Sequence, residues 1–283
     1  MSKLIHATLL RLKKNWLFWF ILDALAIYGI IGCAAQRSRA YQIEWVIFEM
    51  TPYMCFIAAG FIGLFVGTEY SDGTMRNKLA VGHTRAAVYG ANLAVCSLAG
   101  VLFQLAMFIA MWTVGPLRMQ TRLTVFDAAF YMFCALLVCV AFAAMFTAVA
   151  MCCANKAGAT VAAFVIAFMM FFVSAQIDDR LQEPETIQNG PIVVTEDGKI
   201  MVDPTEVTDN PLYIPDGLVR DALGTINSML PTGQGMSFAE LYSRFKESSP
   251  TPAEHWYWPP CSLAFALLAT AAGMAVYKRK DIK

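Results

Sequence analysis

Charge is scarce in this sequence. Asp, Glu, Lys and Arg make up 15% of its 283 residues and balance to a formal net charge of zero, so no basic domain is present to hold nucleic acid. Histidine is rarer still: His6, His83 and His255 stand far apart without adjacent ligands, and no H-E-x-x-H occurs, so a zinc hydrolase is excluded. No glycine-rich turn runs into Lys-Ser/Thr and no G-x-S-x-G is found, so neither a phosphate loop nor a nucleophile elbow is encoded. Intramembrane aspartyl proteolysis needs two facing carboxylates, and Asp23 is the only acid well inside an apolar run. No enzyme active site, metal or cofactor is expected on this chain.

A disulfide framework is absent as well. Cys33, Cys55, Cys96, Cys134, Cys139, Cys152, Cys153 and Cys261 each lie inside or at the edge of an apolar run, where cysteine acts as a small hydrophobe. The adjacent Cys152 and Cys153 have poor geometry for one metal ion.

What the sequence has in excess is apolar length. Hydrophobic residues reach 58% and the mean hydropathy is +0.54, the composition of an integral membrane protein. A helix needs roughly 20 apolar residues to cross the hydrocarbon, and six segments approach that: about 16–35, 52–68, 88–115, 127–153, 158–176 and 260–277. Asp23 costs on the order of 2.5–3.5 kcal/mol near a helix centre, but the Leu, Ile and Phe residues around it return about 0.3–0.6 kcal/mol each. An intramembrane carboxylate is by default a functional candidate, so Asp23 is a possible polar site within the membrane. The Gly63–Gly67 spacing in the second span reads as close helix packing.

Orientation follows from Lys and Arg in the short flanks. One side holds Lys3, Arg11, Lys13, Lys14, Arg76, Lys78, Arg85, Lys156, Lys278, Arg279, Lys280 and Lys283; the short loops of the other hold Arg37, Arg39, Arg118 and Arg122. Both termini are therefore expected in the cytoplasm. Ile5, Leu9, Leu12 and Trp16 share one helical face, opposite Lys3, His6, Lys13 and Lys14, the pattern of a helix lying in the membrane interface. A lipoprotein signal processed at Cys33 is an alternative, weakened by an apolar run that is long for a signal.

Residues 177–259 form one acidic extracytoplasmic insertion, with fourteen acids against Arg180, Lys199, Arg220, Arg244 and Lys246. Ile192–Val194 and Ile200–Val202 flank Glu196-Asp197-Gly198 as a β-hairpin. Asp216 is placed to cap a helix carrying Leu218, Ala222, Ile226 and Leu230 and stopped by Pro231. Ser237 with Glu240 forms a capping box ahead of Phe238, Leu241 and Phe245. Trp256, Tyr257 and Trp258 mark the water–lipid boundary before the last span.

The stretch 68–90, TEYSDGTMRNKLAVGHTRAAVYG, interrupts the apolar pattern between the second and third spans. Its charged residues would cost about 3 kcal/mol each in the bilayer centre, so it stays at the cytoplasmic surface. Ser71 or Asp72 can cap a helix, Gly73 allows the turn, Thr74 through Val81 give about two turns that Gly82 ends, and Thr84 can cap the next helix.

The string Glu69-x-x-x-Gly73-Thr74-x-Arg76-x-Lys78-Leu79-x-x-Gly82-x-Thr84-Arg85 after a second span resembles the membrane permeases of type 2 ATP-binding-cassette exporters. The interfacial helix, six spans and insertion between spans five and six agree with that plan. Such permeases often carry lysines where this chain has Ala86, Ala87 and Asn92, and the insertion here is longer than two short re-entrant helices. The resemblance implies an all-α membrane fold with a mixed α/β insertion, laid out as 1–176 (spans 1–5 with coupling segment 69–87), 177–259 (insertion) and 260–283 (span 6 and basic tail). It also implies that Glu69, Gly73, Thr74, Met75, Arg76, Lys78, Leu79, Gly82 and Arg85 form the coupling interface to a separate ATPase subunit, which would hold ATP and Mg. Two permease copies, or one with a related chain, would enclose a path in the bacterial cell membrane and move an amphipathic substrate such as a peptide, lipid or drug by alternating access. The alternative is a membrane-bound immunity or sensor protein whose acidic outer segment binds a cationic peptide without transport.

Overall fold

In the computed structural model, residues 2–35, 43–121, 123–189, 192–194, 200–202, 206–241 and 255–280 are described. α1 (Ser2–Lys14) and α2 (Trp16–Ala35) are separated by Asn15, whose Oδ1 accepts a hydrogen bond from Leu17 N at 2.9 Å and so starts the second helix. The buried face of α1 is Leu4, Thr8 and Leu12, one step round from the expected apolar stripe; Ile5 and Leu9 are half-buried and Trp16 is exposed. Thr8 enters this face because its hydroxyl donates to Leu4 O at 2.9 Å and leaves no unpaired donor.

The chain continues through α3 (Ile43–Glu49), α4 (Met54–Ser71), α5 (Thr74–Ala80), α6 (Arg85–Val114) with a 3₁₀ turn at Gly115–Leu117, α7 (Val125–Cys152) and α8 (Lys156–Gln182). Four short strands come next, β1 (Thr186–Asn189), β2 (Ile192–Val194), β3 (Ile200–Val202) and β4 (Glu206–Asp209), then α9 (Leu218–Met229), α10 (Pro231–Leu241) and α11 (Trp258–Arg279). Among the described residues six helices, α2, α4, α6, α7, α8 and α11, are long and apolar enough to cross a membrane.

The starts of α6, α7 and α8 are set by side-chain caps that absorb free backbone N–H groups. Thr84 Oγ1 accepts from Ala87 N at 3.2 Å, Thr124 Oγ1 from Asp127 N at 3.2 Å, and Asn155 Oδ1 from Gly158 N at 2.6 Å. Thr84→Ala is expected to cost about 1 kcal/mol, read as a lower thermal midpoint of the purified protein. α8 runs on to Gln182, so the expected end of the fifth span at 176 falls inside a helix.

α7 is the core of the bundle, with α4, α6 and α11 packed on it; α2 lies against α6, and α8 against α4. The α4–α8 contact uses the glycines as expected: a Cβ at Gly63 would stand 2.8 Å from Thr160 Cα, and one at Gly67 2.8 Å from Lys156 Cα. Gly273 of α11 admits α7 in the same way, since a Cβ there would meet Ala148 Cα at 2.9 Å and the Tyr89 hydroxyl at 2.6 Å. All eight cysteines are free thiols, and Cys33, Cys55, Cys96, Cys134 and Cys139 are buried.

β2 pairs antiparallel with β3, Ile192 opposite Val202, as expected for the hairpin; its turn at 196–198 lies outside the described residues. β1 and β4 form a second antiparallel pair around it. Three expectations are corrected nearby. Gly217, not Asp216, precedes α9, and Asp216 instead lies 3.5 Å from Arg220 Nε. Pro231 does not merely stop α9 but begins α10, where its missing N–H costs nothing. Ser237 therefore falls inside α10, its Oγ donating to Gly233 O at 3.1 Å, and makes no capping box; Phe245 lies outside the described residues.

α10 is not a surface helix. Thr232 and Gln234 are fully buried, with Thr232 Oγ1 2.6 Å from Ser174 Oγ of α8 and Gln234 Oε1 accepting from Ser262 Oγ of α11 at 2.7 Å. Gly235 lets α10 meet the backbone of Pro52, where a Cβ would be 2.8 Å from Pro52 Cα. Phe238 then joins α3 to α11, stacking on Phe48 at 5.3 Å and meeting Trp258 edge-on at 4.7 Å.

Candidate functional site

Among the described residues the densest charge cluster lies at the basic end of the bundle, and Glu69 is its centre. This carboxylate sits in the last turn of α4 and is 1% exposed. Left alone there it would carry a desolvation cost of several kcal/mol, so its position requires partners. It has three, each from a different helix. Oε1 is ion-paired with Arg11 of α1 and with Lys78 of α5, while Oε2 accepts from Asn92 Nδ2 of α6 at 2.9 Å.

Arg11 is held further by donating to Phe65 O at 3.1 Å and by lying over the Phe65 ring at 3.9 Å. Burial pulls the Arg11 guanidinium below its ordinary pKa, and the Glu69 charge opposes that shift. Thus one carboxylate fastens α1, α4, α5 and α6 at a single point.

α5 itself is a two-turn helix set off by two left-handed glycines, Gly73 at φ 69° and Gly82 at φ 95°. The expected cap at Ser71 or Asp72 is not made. Gly73 occupies the cap position with no side-chain hydrogen bond, while Thr74 Oγ1 donates to Glu69 O at 3.1 Å. Met75 points inward, 1% exposed, and its Sδ lies 3.3 Å from the Tyr277 hydroxyl of α11.

Arg85 extends the attachment to α11, since its guanidinium donates to Tyr277 O at 3.0 Å, Lys278 O at 3.3 Å and also Lys280 O. A cation on the last carbonyls of a helix opposes the negative end of its dipole. Lys280 in turn donates to Cys153 O at 2.6 Å and Met151 O at 3.3 Å, closing the end of α7, and lies 4.2 Å over the Tyr70 ring.

The nine residues singled out in sequence thus separate by position. Glu69 and Met75 are buried, Lys78 and Leu79 are half-buried and turned to the bundle, Gly73 and Gly82 make the bends, Thr74 ties back to Glu69, and Arg85 is turned to α11. Arg76 alone among the larger of them is fully outward. Asn77, Ala80 and Val81 share its outer side, Val81 being 80% exposed. Helical phase carries that signal: with Met75 and Leu79 inward, these four lie opposite. Arg11, Asn92 and Tyr277 have no local signal of their role, because each acts on a residue far away in the chain. A pocket of about 370 Å³ opens between α1 and α5, with Lys3, Lys78 and His83 on its wall.

Asp23 lies elsewhere. It is exposed on the outer face of α2, and no hydrogen bond or ion pair to it is found among the described residues. Among the described residues no three His, Cys, Asp or Glu side chains gather as a metal site would require.

No protein-family model and no curated protein matches this chain.

Proposed function

We propose that this chain is the permease subunit of an ATP-binding-cassette exporter in a bacterial cell membrane, forming half of a translocation path and driven by a separate ATPase through α5. The observation that carries this reading is the attachment of α5. A short helix between two glycine hinges is bound to α1, α4 and α6 through Glu69 and to α11 through Met75 and Tyr277, so a displacement of α5 reaches most of the bundle. A turn between two spans needs only a few residues; a short helix fastened on its inner side, with Arg76, Asn77, Ala80 and Val81 exposed on its outer side, suits a part that another protein moves. The excess of Lys and Arg at this end supports a cytoplasmic position for α5 and both termini.

On this reading Arg76, Asn77, Ala80 and Val81 meet the ATPase, while Glu69, Met75 and Lys78 pass its motion to the spans. ATP and Mg belong to the partner subunit, and a second permease copy or a related one completes the path.

The test is co-purification with a soluble ATPase. Arg76→Glu with Val81→Asp is expected to lower recovery of the ATPase at least about tenfold while leaving the permease folded, since both side chains are exposed. A complex that survives both changes contradicts the proposal.

A further inference from the structure

The pocket between α1 and α5 has a lining of one sign. Its wall carries Lys3, Lys78 and His83 together with Thr74 and Asn77, it encloses about 370 Å³, and among the described residues no acid lines it. Glu69 does not balance these cations, because its one charge is shared between Lys78 and Arg11. Asp72 is exposed at the turn ahead of α5 and is not part of the wall. Lys3 makes no ion pair among the described residues. The pocket therefore keeps a net positive charge, and a basic concavity between helices at the end of a membrane bundle suits an anionic headgroup. Its volume lies in the range of small-molecule sites.

The rest of α1 indicates what the anion is attached to. Lys3, Ala7 and Leu10 stand at i, i+4 and i+7 on one face, away from the buried Leu4, Thr8 and Leu12. Lys3 and Ala7 line the pocket, and Leu10, about 10 Å along the helix from Lys3, is 47% exposed. The last turn of α1 is joined to the start of α2, where Trp19 donates its Nε1 hydrogen to Lys13 O at 2.8 Å and Trp16, Trp19 and Phe20 are exposed. Exposed tryptophans at the end of a membrane-crossing helix mark headgroup depth, and this end of the bundle holds the excess of Lys and Arg. An occupant with a charge at one end and apolar chains at the other meets both the lysines and Leu10. A free phosphate or an acidic protein segment would meet the lysines and leave Leu10 uncovered.

We infer that the pocket between α1 and α5 binds the headgroup of an anionic phospholipid, its phosphate against Lys3, Lys78 and His83 and its acyl chains along Leu10. The bound lipid adds a second tie between α1 and α5 beside Glu69. This goes beyond the permease reading and does not depend on it.

The purified full chain is incubated in detergent with equal amounts of dioleoylphosphatidylglycerol and dioleoylphosphatidylcholine, which share their acyl chains and differ in net charge. Native mass spectrometry then reads which lipid stays bound. Phosphatidylglycerol is expected to be retained at least about fivefold over phosphatidylcholine. Lys3→Glu is expected to bring the two to equality. Ala7→Phe, which fills the pocket wall and keeps every charge, is expected to lower phosphatidylglycerol retention at least about fivefold. Lys14→Glu, the same change of charge on the same helix but outside the pocket, is expected to keep the preference. All three positions are exposed, so the thermal midpoint at which each variant is compared is expected to be unchanged. Equal retention of both lipids by the unaltered chain, an unchanged preference in Lys3→Glu, full retention in Ala7→Phe, or a matching loss in Lys14→Glu overturns the inference. Release of the lipid by excess inorganic phosphate overturns it too, since the site would then be one for the free anion. No ATPase is present in the experiment, so its outcome and that of the ATPase co-purification are read independently.

Discussion

Glu69→Ala is expected to be among the most damaging single substitutions in the molecule. It removes the carboxylate ion-paired with Arg11 and Lys78 and frees Asn92 Nδ2 from its oxygen partner, all where Glu69 is 1% exposed. Breaking a buried ion pair by deleting one partner typically costs about 3–5 kcal/mol; the low end, about 3 kcal/mol, applies here because Arg11 and Lys78 keep some access to water. Thermal unfolding in detergent measures that loss. The same substitution removes the side-chain links of α1, α5 and α6 to the end of α4, so on the proposed reading ATPase turnover is expected to uncouple from transport in whatever protein still folds. Glu69→Gln separates the two effects, keeping hydrogen-bonding capacity while removing the charge. It is expected to lose less stability than alanine does.

Gly273→Leu is the second. α11 touches α7 at the level of Ala148, where even a Cβ at 273 would stand 2.6 Å from the Tyr89 hydroxyl and overlap the Ala148 methyl. Backbone on the far side leaves no soft neighbour to move, so the cost is expected at the upper end of the overpacking range, about 3 kcal/mol. Gly273→Ala is milder, and Ala148→Gly is expected to restore part of its loss because it deletes the nearest atom. Additive losses in that pair would show that α11 and α7 do not meet there.

Spans were legible in the sequence because length and hydropathy are local properties: all six apolar runs are helices, three of which start a few residues early at the Thr84, Thr124 and Asn155 caps. The small-residue spacing of Gly63 and Gly67 was likewise readable, since close approach needs the missing side chain wherever the partner lies. α3 was not, because seven residues are too few to register as a span. α10 was not either: Thr232 and Gln234 look solvated in sequence, and only hydrogen bonds to Ser174 and Ser262 on distant helices allow them to be buried. That burial also ties the acidic segment 177–259 to the bundle, for its helix α10 packs on α3, α7 and α8.

The charged stretch after α4 lies between these cases. Its helix, its glycine hinges and the Thr84 cap follow from local rules. Which side is held inward depends on Arg11, Asn92 and Tyr277, and no local rule names them. With Met75 and Leu79 turned to the bundle and Lys78 paired to Glu69, the outward residues are Arg76, Asn77, Ala80 and Val81.

A photo-crosslinking amino acid at Val81, activated in living cells, tests the role of α5 most directly. The expected result is an adduct with a soluble protein whose sequence carries a G-x-x-x-x-G-K-[ST] phosphate loop, absent when the same group replaces Leu117, which is equally accessible at the opposite end of the bundle. No such adduct from Val81, or the same adduct from both positions, would contradict the account.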